Sequence, residues 1–217
     1  MPRKPDTHRE TEIKLAIMDL PGVIEKLDAL GIKPRGRVLE RNTLFDTEGS
    51  DLRSRGRLLR LRSETPAPSA FASGGPERTI LTAKSPAPVD AKSGKPGLYK
   101  HNLEREVVLP APKRTPGERR TLVDRGWPFA LGCLGLRSKF RYEKYRTAFR
   151  VKDVHIELDE TPVGTFLELE GKPEAIDRLA RGLGFTIKDY IRATYFELYA
   201  AEQRKKRRPV AHMLFSR

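Results

Sequence analysis

Polar and apolar residues alternate with a period of two along most of this 217-residue chain, which is the pattern of β-strands with two different faces. The alternation is clearest over residues 9–17. One face there carries Glu10, Glu12 and Lys14, and the other carries Thr11, Ile13, Leu15 and Ile17. Because the apolar face requires a hydrophobic core, this strand is predicted to be at least half buried.

Seven further segments have extended character, so the sequence predicts eight strands. They lie near residues 9–17, 36–46, 58–62, 79–84, 101–109, 137–150, 154–160 and 165–171. Turns or loops connect most of them, which favours antiparallel pairing, because parallel pairing needs long crossovers. Eight antiparallel strands can close into a barrel. The predicted fold class is α+β: a closed eight-stranded antiparallel β-barrel with flanking helices.

Helical spacing is confined to a few segments. One helix is predicted after Asp19 as its N-cap, with Pro21 in the first turn and Gly31 at its end. Three more are predicted, at residues 118–125, at 173–183 and from about Arg192 onwards. These helices are expected to cover the apolar faces of the strands.

Residues 1–203 are predicted to form one domain, because 217 residues suffice for one generous domain or two small ones at most. Two Pro- and Gly-rich loops interrupt it, at about 64–78 and 85–100. Loops of this length are uncommon inside a compact domain and are usually mobile or functional, so both are predicted to be mobile. Residues 204–217 are interpreted as a basic C-terminal tail.

The composition is strongly basic, with 43 basic and 29 acidic side chains and a formal charge of +14. Such an excess predicts an anionic partner: nucleic acid, an acidic membrane surface or a polyphosphate small molecule. Cys133 is the only cysteine, which excludes a disulfide framework and a cysteine-based zinc site. The sequence contains no apolar run of membrane-spanning length and no signal peptide, so a cytoplasmic protein without a membrane partner is expected.

Nearly every predicted strand has one ionisable face. The acidic members are Glu10, Glu12, Glu104, Glu106, Asp159, Glu168 and Glu170, and the basic members are Lys14, Arg60, Arg62, Lys84, Lys139 and Arg141. If these faces line the interior of the barrel, each charge has partners there, although periodicity alone leaves open which face is inside. Glu10 and Glu12 lie about 7 Å apart along one strand and repel each other unless a cation separates them; a hard divalent ion is the usual solution.

In their order along the chain, these charged motifs resemble those of the CYTH proteins, also called triphosphate tunnel metalloenzymes. The matching segments are Glu10-x-Glu12-x-Lys14, Phe45-Asp46-Thr47, Leu59-Arg60-Leu61-Arg62, Thr82-Ala83-Lys84, Glu104-Arg105-Glu106, Lys139-Phe140-Arg141, Leu158-Asp159-Glu160, Gly164 to Gly171 and Ala193-Thr194-Tyr195. The resemblance spans residues 8–199. It implies a closed eight-stranded tunnel that holds a triphosphate together with Mg²⁺ or Mn²⁺.

The resemblance also implies roles for particular residues. Triphosphate binding falls to Lys14, Arg60, Arg62, Lys84, Lys139, Arg141 and Arg192, and metal binding to Glu10, Glu12, Asp159, Glu168 and Glu170. Catalytic roles fall to Glu10, Glu12, Lys14 and Glu106, with Glu106 a candidate for orienting the attacking water. Arg192 stands where the family usually has lysine, so Lys188 is an alternative to it.

Three functions stay open at this point. The first is a metal-dependent enzyme that hydrolyses inorganic, thiamine or nucleoside triphosphate, and the second is a class IV adenylate cyclase that makes cyclic AMP from ATP. The third is a non-catalytic module that binds polyphosphate or RNA. Nucleic acid is not the expected partner, because the carboxylate clusters repel a polyanion and no basic strand is interleaved with aromatic residues that could stack on bases. A homodimer is an open option.

Overall fold

The strands form where the sequence alternates, and they enclose a barrel. The structure, a computed structural model, describes residues 6–87, 97–109 and 122–216, without the side chains of 6–8 and 122–125. The strands are β1 (Asp6–Ile17), β2 (Pro34–Asp46), β3 (Leu58–Pro66), β4 (Arg78–Pro86), β5 (Lys100–Leu109), β6 (Arg137–Val151), β7 (Val154–Thr161) and β8 (Gly164–Gly171). The helices are α1 (Leu20–Ala29), α2 (Asp51–Ser54), α3 (Leu122–Cys133), α4 (Pro173–Gly182) and α5 (Tyr195–Lys205), with a 3₁₀ turn at Ile187–Asp189.

All eight strands belong to one closed antiparallel sheet. Their order around the barrel is β1-β5-β4-β3-β2-β6-β7-β8, and β8 pairs with β1 to close it. Strand β1 pairs with β5 over its first half and with β8 over its second, so Glu12 lies opposite both Lys100 and Glu170. Closure leaves no open sheet edge. The predicted eight-stranded antiparallel barrel with flanking helices is confirmed.

The main hydrophobic core lies outside the barrel, between the sheet and two helices. Ile13 and Leu15 on β1 are almost fully buried and pack in one cluster with Leu27 of α1 and Ile176 of α4. Each such side chain stabilises the fold by about 1.5–3 kcal/mol on burial. The apolar face of β1 therefore points outward under the helices, and its charged face points inward.

The helices agree with the sequence prediction in part. Asp19 caps α1 by accepting a hydrogen bond of 3.0 Å from the backbone N–H of Gly22, and α4 lies within the range predicted for it. The helix predicted at 118–125 is instead α3, Leu122–Cys133, while residues 118–121 lie outside the described part of the chain. The four-residue helix α2 was not predicted, because it is too short to show helical spacing.

The first of the two predicted loops begins only where β3 ends, at Pro66. Beyond it, the backbone is joined to Arg37 of β2 by three hydrogen bonds of 2.7 to 3.0 Å, and the Arg37 guanidinium donates to the carbonyl of Ala67 at 3.2 Å. This segment therefore lies against the outside of the barrel. In the second predicted loop, residues 88–96 lie outside the described ranges.

The last described residues return to the barrel after α5 ends. Met213 is fully buried and pairs with the edge of β6: its N–H donates to the carbonyl of Arg141 and its carbonyl accepts from the N–H of Glu143. The ring of Phe215 lies 5.1 Å from the ring of Tyr145, centroid to centroid. The segment that the sequence suggested was a basic tail thus contributes Met213 and Phe215 to the fold.

Asp46, the last residue of β2, organises the turn that leads into α2. Its carboxylate accepts hydrogen bonds from the backbone N–H groups of Thr47 and Leu52, each at 2.8 Å, and of Arg53 at 3.0 Å. Burial disfavours the charged form, but these three N–H groups outweigh it and hold the pKa of Asp46 below its ordinary value.

We expect Asp46→Asn to lower the free energy of unfolding by about 1–3 kcal/mol at pH 7, because one carboxylate oxygen is replaced by a donor that faces backbone N–H groups. A carboxyl group whose pKa is depressed in the folded state stabilises above its unfolded pKa and stops doing so as pH falls through its folded pKa. The difference from wild type should therefore shrink below about pH 4. Urea unfolding at pH 7 and pH 3 measures it. The exposed neighbour Asp51→Asn is the control, and an equal loss at both pH values would contradict the prediction.

Within the described residues, none of the helices is both long enough and apolar enough to cross a bilayer.

Candidate active site

The inward faces of the strands carry the charged side chains, as the sequence suggested. On β1, Glu10 and Lys14 are each only 4% exposed, although both are ionisable. On β3, Arg60 and Arg62 point the same way and are 7% exposed. Because side chains on a strand alternate between faces, all four point into the space enclosed by the barrel. We call this space, with the side chains that line it, the barrel interior.

Six basic side chains converge on the barrel interior. They are Lys14 on β1, Arg60 and Arg62 on β3, Lys84 on β4, and Lys144 and Arg146 on β6. The first four are among the predicted triphosphate ligands. The last two were not predicted, yet Lys144 is the largest of the fully buried side chains at 1% exposure.

Lys139 and Arg141 do not line the interior, and the expectation that they do is wrong. Both are exposed on the outer face of β6, where Lys139 donates to the carbonyl of Glu48 at 3.0 Å. The inward positions of β6 are those of Phe140, Tyr142, Lys144 and Arg146. The sequence offers two Lys-x-Arg patterns on this strand with opposite parity, at 139–141 and 144–146. The aromatic alternation of Phe140 and Tyr142 was the signal for the second pattern.

Arg192 also lies away from the inward-facing carboxylates. It is exposed and donates to the carbonyl of Gly97 at 2.9 Å. The alternative candidate, Lys188, is exposed on the 3₁₀ turn. The terminal element contributes Tyr195 instead: its hydroxyl donates to Asp159 at 2.6 Å, and its ring lies 4.9 Å from the Nζ atoms of both Lys14 and Lys144.

Four of the five predicted metal-binding carboxylates, Glu10, Glu12, Asp159 and Glu168, contact a Lys or Arg side chain. Glu10 accepts from Lys84 Nζ at 2.8 Å through both oxygens, and Glu12 lies 3.1 Å from Lys100. Glu168 lies 2.9 Å from Lys14. Burial opposes ionisation of Glu168, but Lys14, Lys144 and Arg146 outweigh it and hold its pKa well below the ordinary value. Glu170 is half-buried, opposite Glu12 across the β1–β8 pair.

Asp159 forms the densest set of contacts in the barrel interior. It is fully buried on β7 and accepts from Lys144 Nζ at 2.7 Å. Arg146 donates to it from both Nε and Nη2, each at 2.7 Å, which is the bidentate geometry of a guanidinium with a carboxylate. Sequence reasoning placed Asp159 correctly but missed the two cations that hold it.

Glu40 is the second residue that sequence reasoning missed. It is 0% exposed and lies 3.0 Å from Arg62 and 3.6 Å from Lys144. Burial would disfavour its charge, but Arg146, Arg62, Lys144 and Arg60 outweigh burial and lower its pKa strongly. Glu40 is therefore ionised, and it occupies the centre of the basic cluster.

Glu157 shares the inward face of β7 with Asp159 and was not among the predicted ligands. Glu157 pairs with Arg146, and its side chain is 33% exposed. Burial, together with the charges of Glu168 and Asp159, raises the pKa of Glu157 to about 8, even though Arg146 acts in the opposite direction. A cation that enters the interior beside Glu157 would lower this pKa and favour the carboxylate form.

On β5, Glu104 and Glu106 face Arg60 from the opposite side. Thr82 Oγ1 donates to Glu106 at 2.7 Å, and Arg60 Nη2 lies 3.4 Å from the same oxygen. Burial opposes ionisation of Glu106, but Thr82 and Arg60 outweigh it and lower its pKa. The pKa of Glu104 is raised, mainly by burial, with Glu10 and Glu106 adding to the effect.

One basic group of the interior has an unused donor. Among the described residues, Arg60 Nε is buried and makes no hydrogen bond, although both terminal nitrogens of the same guanidinium have partners. An unpaired buried donor costs free energy, and an oxygen of an anionic ligand is the acceptor that would satisfy it.

The carboxylates suit a hard divalent cation in donor chemistry but are not assembled around one. Magnesium and manganese prefer oxygen ligands, which Glu12, Glu157, Glu168 and Glu170 offer on the adjacent strands β1, β7 and β8. Even so, no three acidic or His side chains are grouped as a ready metal site in the described part of the chain. The residues therefore fit a divalent ion once their ion pairs with Lys and Arg open.

The fold and the interior together define a barrel protein whose enclosed face is ionic instead of apolar. The chain belongs to the CYTH domain family, whose model matches residues 8–188. No curated protein is similar enough in sequence to count as a match.

Solved structures share this fold. A candidate adenylate cyclase from Vibrio parahaemolyticus has a TM-score of 0.65 at 18% identity, covering 88% of this chain and 97% of that chain. The PH1819 protein of Pyrococcus horikoshii OT3 has a TM-score of 0.63 at 23% identity, covering 89% and 99%. A candidate adenylyl cyclase from Hippeastrum has a TM-score of 0.53 at 22% identity, covering 89% and 96%. At these identities the similarity establishes the fold alone.

Proposed function

We propose that this protein is a divalent-metal-dependent enzyme that binds a triphosphate inside the barrel and hydrolyses it. The observation that carries the proposal is the convergence of six basic side chains, five of them buried, in one enclosed space, with an unpaired guanidinium donor on Arg60. Evolution of a barrel for stability alone favours an apolar interior, because buried ion pairs contribute little net stability. An interior of this kind is suited to a ligand with several negative charges.

The basic side chains divide by geometry into two roles. Arg60, Arg62 and Arg146 present planar forks that bind phosphate oxygens in pairs, while Lys14, Lys84 and Lys144 act as point charges. Burial opposes the charge on Lys14, but Glu168 and Glu12 outweigh it and raise its pKa, so it stays protonated when a phosphate approaches. Held from several strands, the triphosphate is fixed in one orientation.

Binding a triphosphate also changes the carboxylates. Each phosphate oxygen that takes a Lys or Arg partner releases the carboxylate which held that partner before. We propose that Glu10, Glu12, Asp159, Glu168 and Glu170 then hold one or two Mg²⁺ or Mn²⁺ ions, with Glu157 as a further ligand. A bound metal ion would neutralise the negative charge that develops on the phosphate oxygens during the reaction. Metal and triphosphate are therefore expected to bind cooperatively.

Glu106 is the proposed group for orienting the attacking water. It is the most exposed of the inward-facing β5 carboxylates at 38% of its side chain, so water can reach it. Thr82 and Arg60 fix its position through hydrogen bonds to one oxygen, which leaves the other to accept from water. The Hippeastrum relative is described as having a dominant triphosphatase activity, but the proposal depends on the interior of this chain.

We expect the purified protein to release phosphate from at least one of tripolyphosphate, thiamine triphosphate, ATP and GTP when Mg²⁺ or Mn²⁺ is present. Excess EDTA should lower the rate by at least about 100-fold, since the carboxylates then have no ion to hold. Adding back excess metal should restore the rate, which is the control for damage by the chelator. A colorimetric phosphate assay measures release, and chromatography detects cyclic AMP.

Two results would contradict the proposal. Equal phosphate release with and without EDTA would show that the reaction needs no divalent metal ion. Cyclic AMP as the main product from ATP would favour the class IV adenylate cyclase alternative, in which the ribose hydroxyl takes the place of water.

A further inference from the structure

The positive charge of this protein is located outside the barrel. The inward-facing basic side chains are Lys14, Arg60, Arg62, Arg78, Lys84, Lys100, Lys144 and Arg146. The inward-facing acidic ones are Glu10, Glu12, Glu40, Glu64, Glu104, Glu106, Glu157, Asp159, Glu168 and Glu170. Acid therefore exceeds base in the interior, although the whole chain has a formal charge of +14. A triphosphate in the barrel does not account for the excess of basic residues.

A large exposed group of basic residues lies on one side of the molecule, and we call it the β6–α5 basic surface. Its members are Arg53 on α2, Arg137, Lys139 and Arg141 at the start of β6, and Arg204, Lys205, Lys206, Arg207 and Arg208 at the end of α5 and just beyond it. All of them are exposed. The three residues on β6, here called the β6 row, lie at the start of the strand, where Lys139 is an extra residue between Arg137 and Arg141.

Contacts place α2 and α5 beside the start of β6, and the segment that follows α5 reaches the same strand. The Arg53 guanidinium lies over the Phe196 ring of α5 at 4.8 Å. The Phe196 ring in turn packs edge-on against Phe140 of β6 at 5.0 Å. His212, four residues after Arg208, accepts from the backbone N–H of Arg141 at 3.2 Å. The end of α5 is thus held within a few residues of the β6 row.

Acidic residues neutralise only part of this surface. Glu48 pairs with Arg137 at 3.1 Å and with Lys139 at 3.6 Å, while Glu202 pairs with Lys206 at 2.8 Å. Arg141 makes no ion pair with a residue that the structure describes. The net charge of the surface is strongly positive, so it attracts a polyanion.

We propose that the β6–α5 basic surface binds the phosphate backbone of a nucleic-acid duplex without reading its base sequence. The cations are spread over three elements instead of following one groove, which fits a wide partner with two rows of phosphates. The aromatic side chains beneath the surface, Phe196 and Tyr199, are partly buried and contact Phe140, so they are not presented for stacking on bases. Phosphate contacts position a protein on a duplex but carry no sequence information.

The test uses the full-length protein and fluorescence anisotropy with labelled mixed-sequence duplexes of DNA and of RNA over a range of salt concentrations. The first variant combines Arg137→Gln, Lys139→Gln and Arg141→Gln. The control combines Arg150→Gln, Arg178→Gln and Arg181→Gln, which removes the same charge from exposed positions on the far end of β6 and on α4. Thermal unfolding of each variant checks that it is folded.

We expect wild type to bind at least one duplex at roughly micromolar concentration near physiological salt. The first variant should bind about tenfold more weakly, and the slope of log K against log salt should fall by about two to three units, since up to three phosphate contacts are lost. The control variant should stay within about twofold of wild type. A third variant, which combines Arg204→Gln, Lys205→Gln and Arg208→Gln, should also bind about tenfold more weakly than wild type.

Three results would overturn the proposal. Equal weakening by the first variant and the control would mean that net charge alone matters, and not this surface. Failure of wild type to bind either duplex would exclude the proposed partner. Binding of inorganic polyphosphate that the first variant weakens and that excess duplex does not displace would assign the surface to a different polyanion. None of these outcomes depends on the reaction proposed for the barrel interior.

Discussion

Replacing Arg146 by lysine is expected to lower kcat/KM for the best triphosphate substrate by about 30- to 100-fold, which corresponds to about 2–3 kcal/mol of transition-state binding. Lysine keeps the positive charge beside Asp159 and Glu168, so the fold is retained. Lysine lacks the planar guanidinium of Arg146, which in the wild type donates two hydrogen bonds of 2.7 Å to Asp159. A phosphate group would accept the same pair of hydrogen bonds. Steady-state phosphate release measures the effect.

The matched control is Arg141→Lys on the same strand. Arg141 is exposed on the outer face of β6, so its conservative replacement should change kcat/KM by less than about twofold. The pair of variants tests which of the two Lys-x-Arg patterns serves the barrel interior. A loss with Arg141→Lys as large as that with Arg146→Lys would contradict the assignment of these faces.

Replacing Glu40 by glutamine is expected to strengthen the binding of tripolyphosphate by about tenfold or more while it destabilises the free protein. Glu40 is ionised and fully buried among Arg62, Lys144 and Arg146. Removing one charge from such a cluster costs about 3–5 kcal/mol, because the remaining charges stay buried without compensation. A bound anion restores the balance, so ligand binding recovers free energy that the variant lacks.

Isothermal titration with tripolyphosphate in EDTA, combined with thermal unfolding with and without the ligand, measures both effects. The control is Glu160→Gln, which removes a carboxylate from Arg37 on the outside of the barrel; Glu160 lies 2.7 Å from Arg37 Nη2. That variant should leave ligand affinity unchanged. If wild type binds tripolyphosphate and Glu40→Gln binds it no more tightly, Glu40 does not balance the cluster. If wild type itself does not bind, the proposed function is wrong instead.

Strand β6 illustrates where sequence reasoning stopped. Its partner β2 pairs Leu44 with Phe140 and Phe45 with Ser138, so Lys139 is an extra residue in a bulge. A bulge shifts which side chains face inward, and within β6 only the alternation of Phe140 and Tyr142 indicates the result. The choice between the patterns at 139–141 and 144–146 depends on this pairing with a strand about 100 residues earlier in the chain.

The charged residues of β2 and β7 show a related limit. Sequence reasoning described 36–46 as extended but assigned no role to Glu40, because a lone acidic residue next to Arg41 resembles an ordinary solvated pair. Only the closed barrel brings it within reach of Arg62 on β3 and Arg146 on β6. Likewise, the raised pKa of Glu157 arises from burial in the closed barrel and from carboxylates on β7 and β8 together.

By itself, the sequence determined the number of strands, their antiparallel pairing, and the two faces of β1, because alternation and turn residues are local properties with a local physical cause. It also determined the family, through charged motifs at Glu10 to Lys14 and Gly164 to Gly171. Tertiary structure decided which of the two Lys-x-Arg patterns of β6 faces inward. It also decided that Glu40 lies among the cations and that the positive charge lies outside the barrel. Those features depend on register and closure between distant strands, which set distances that no local pattern contains.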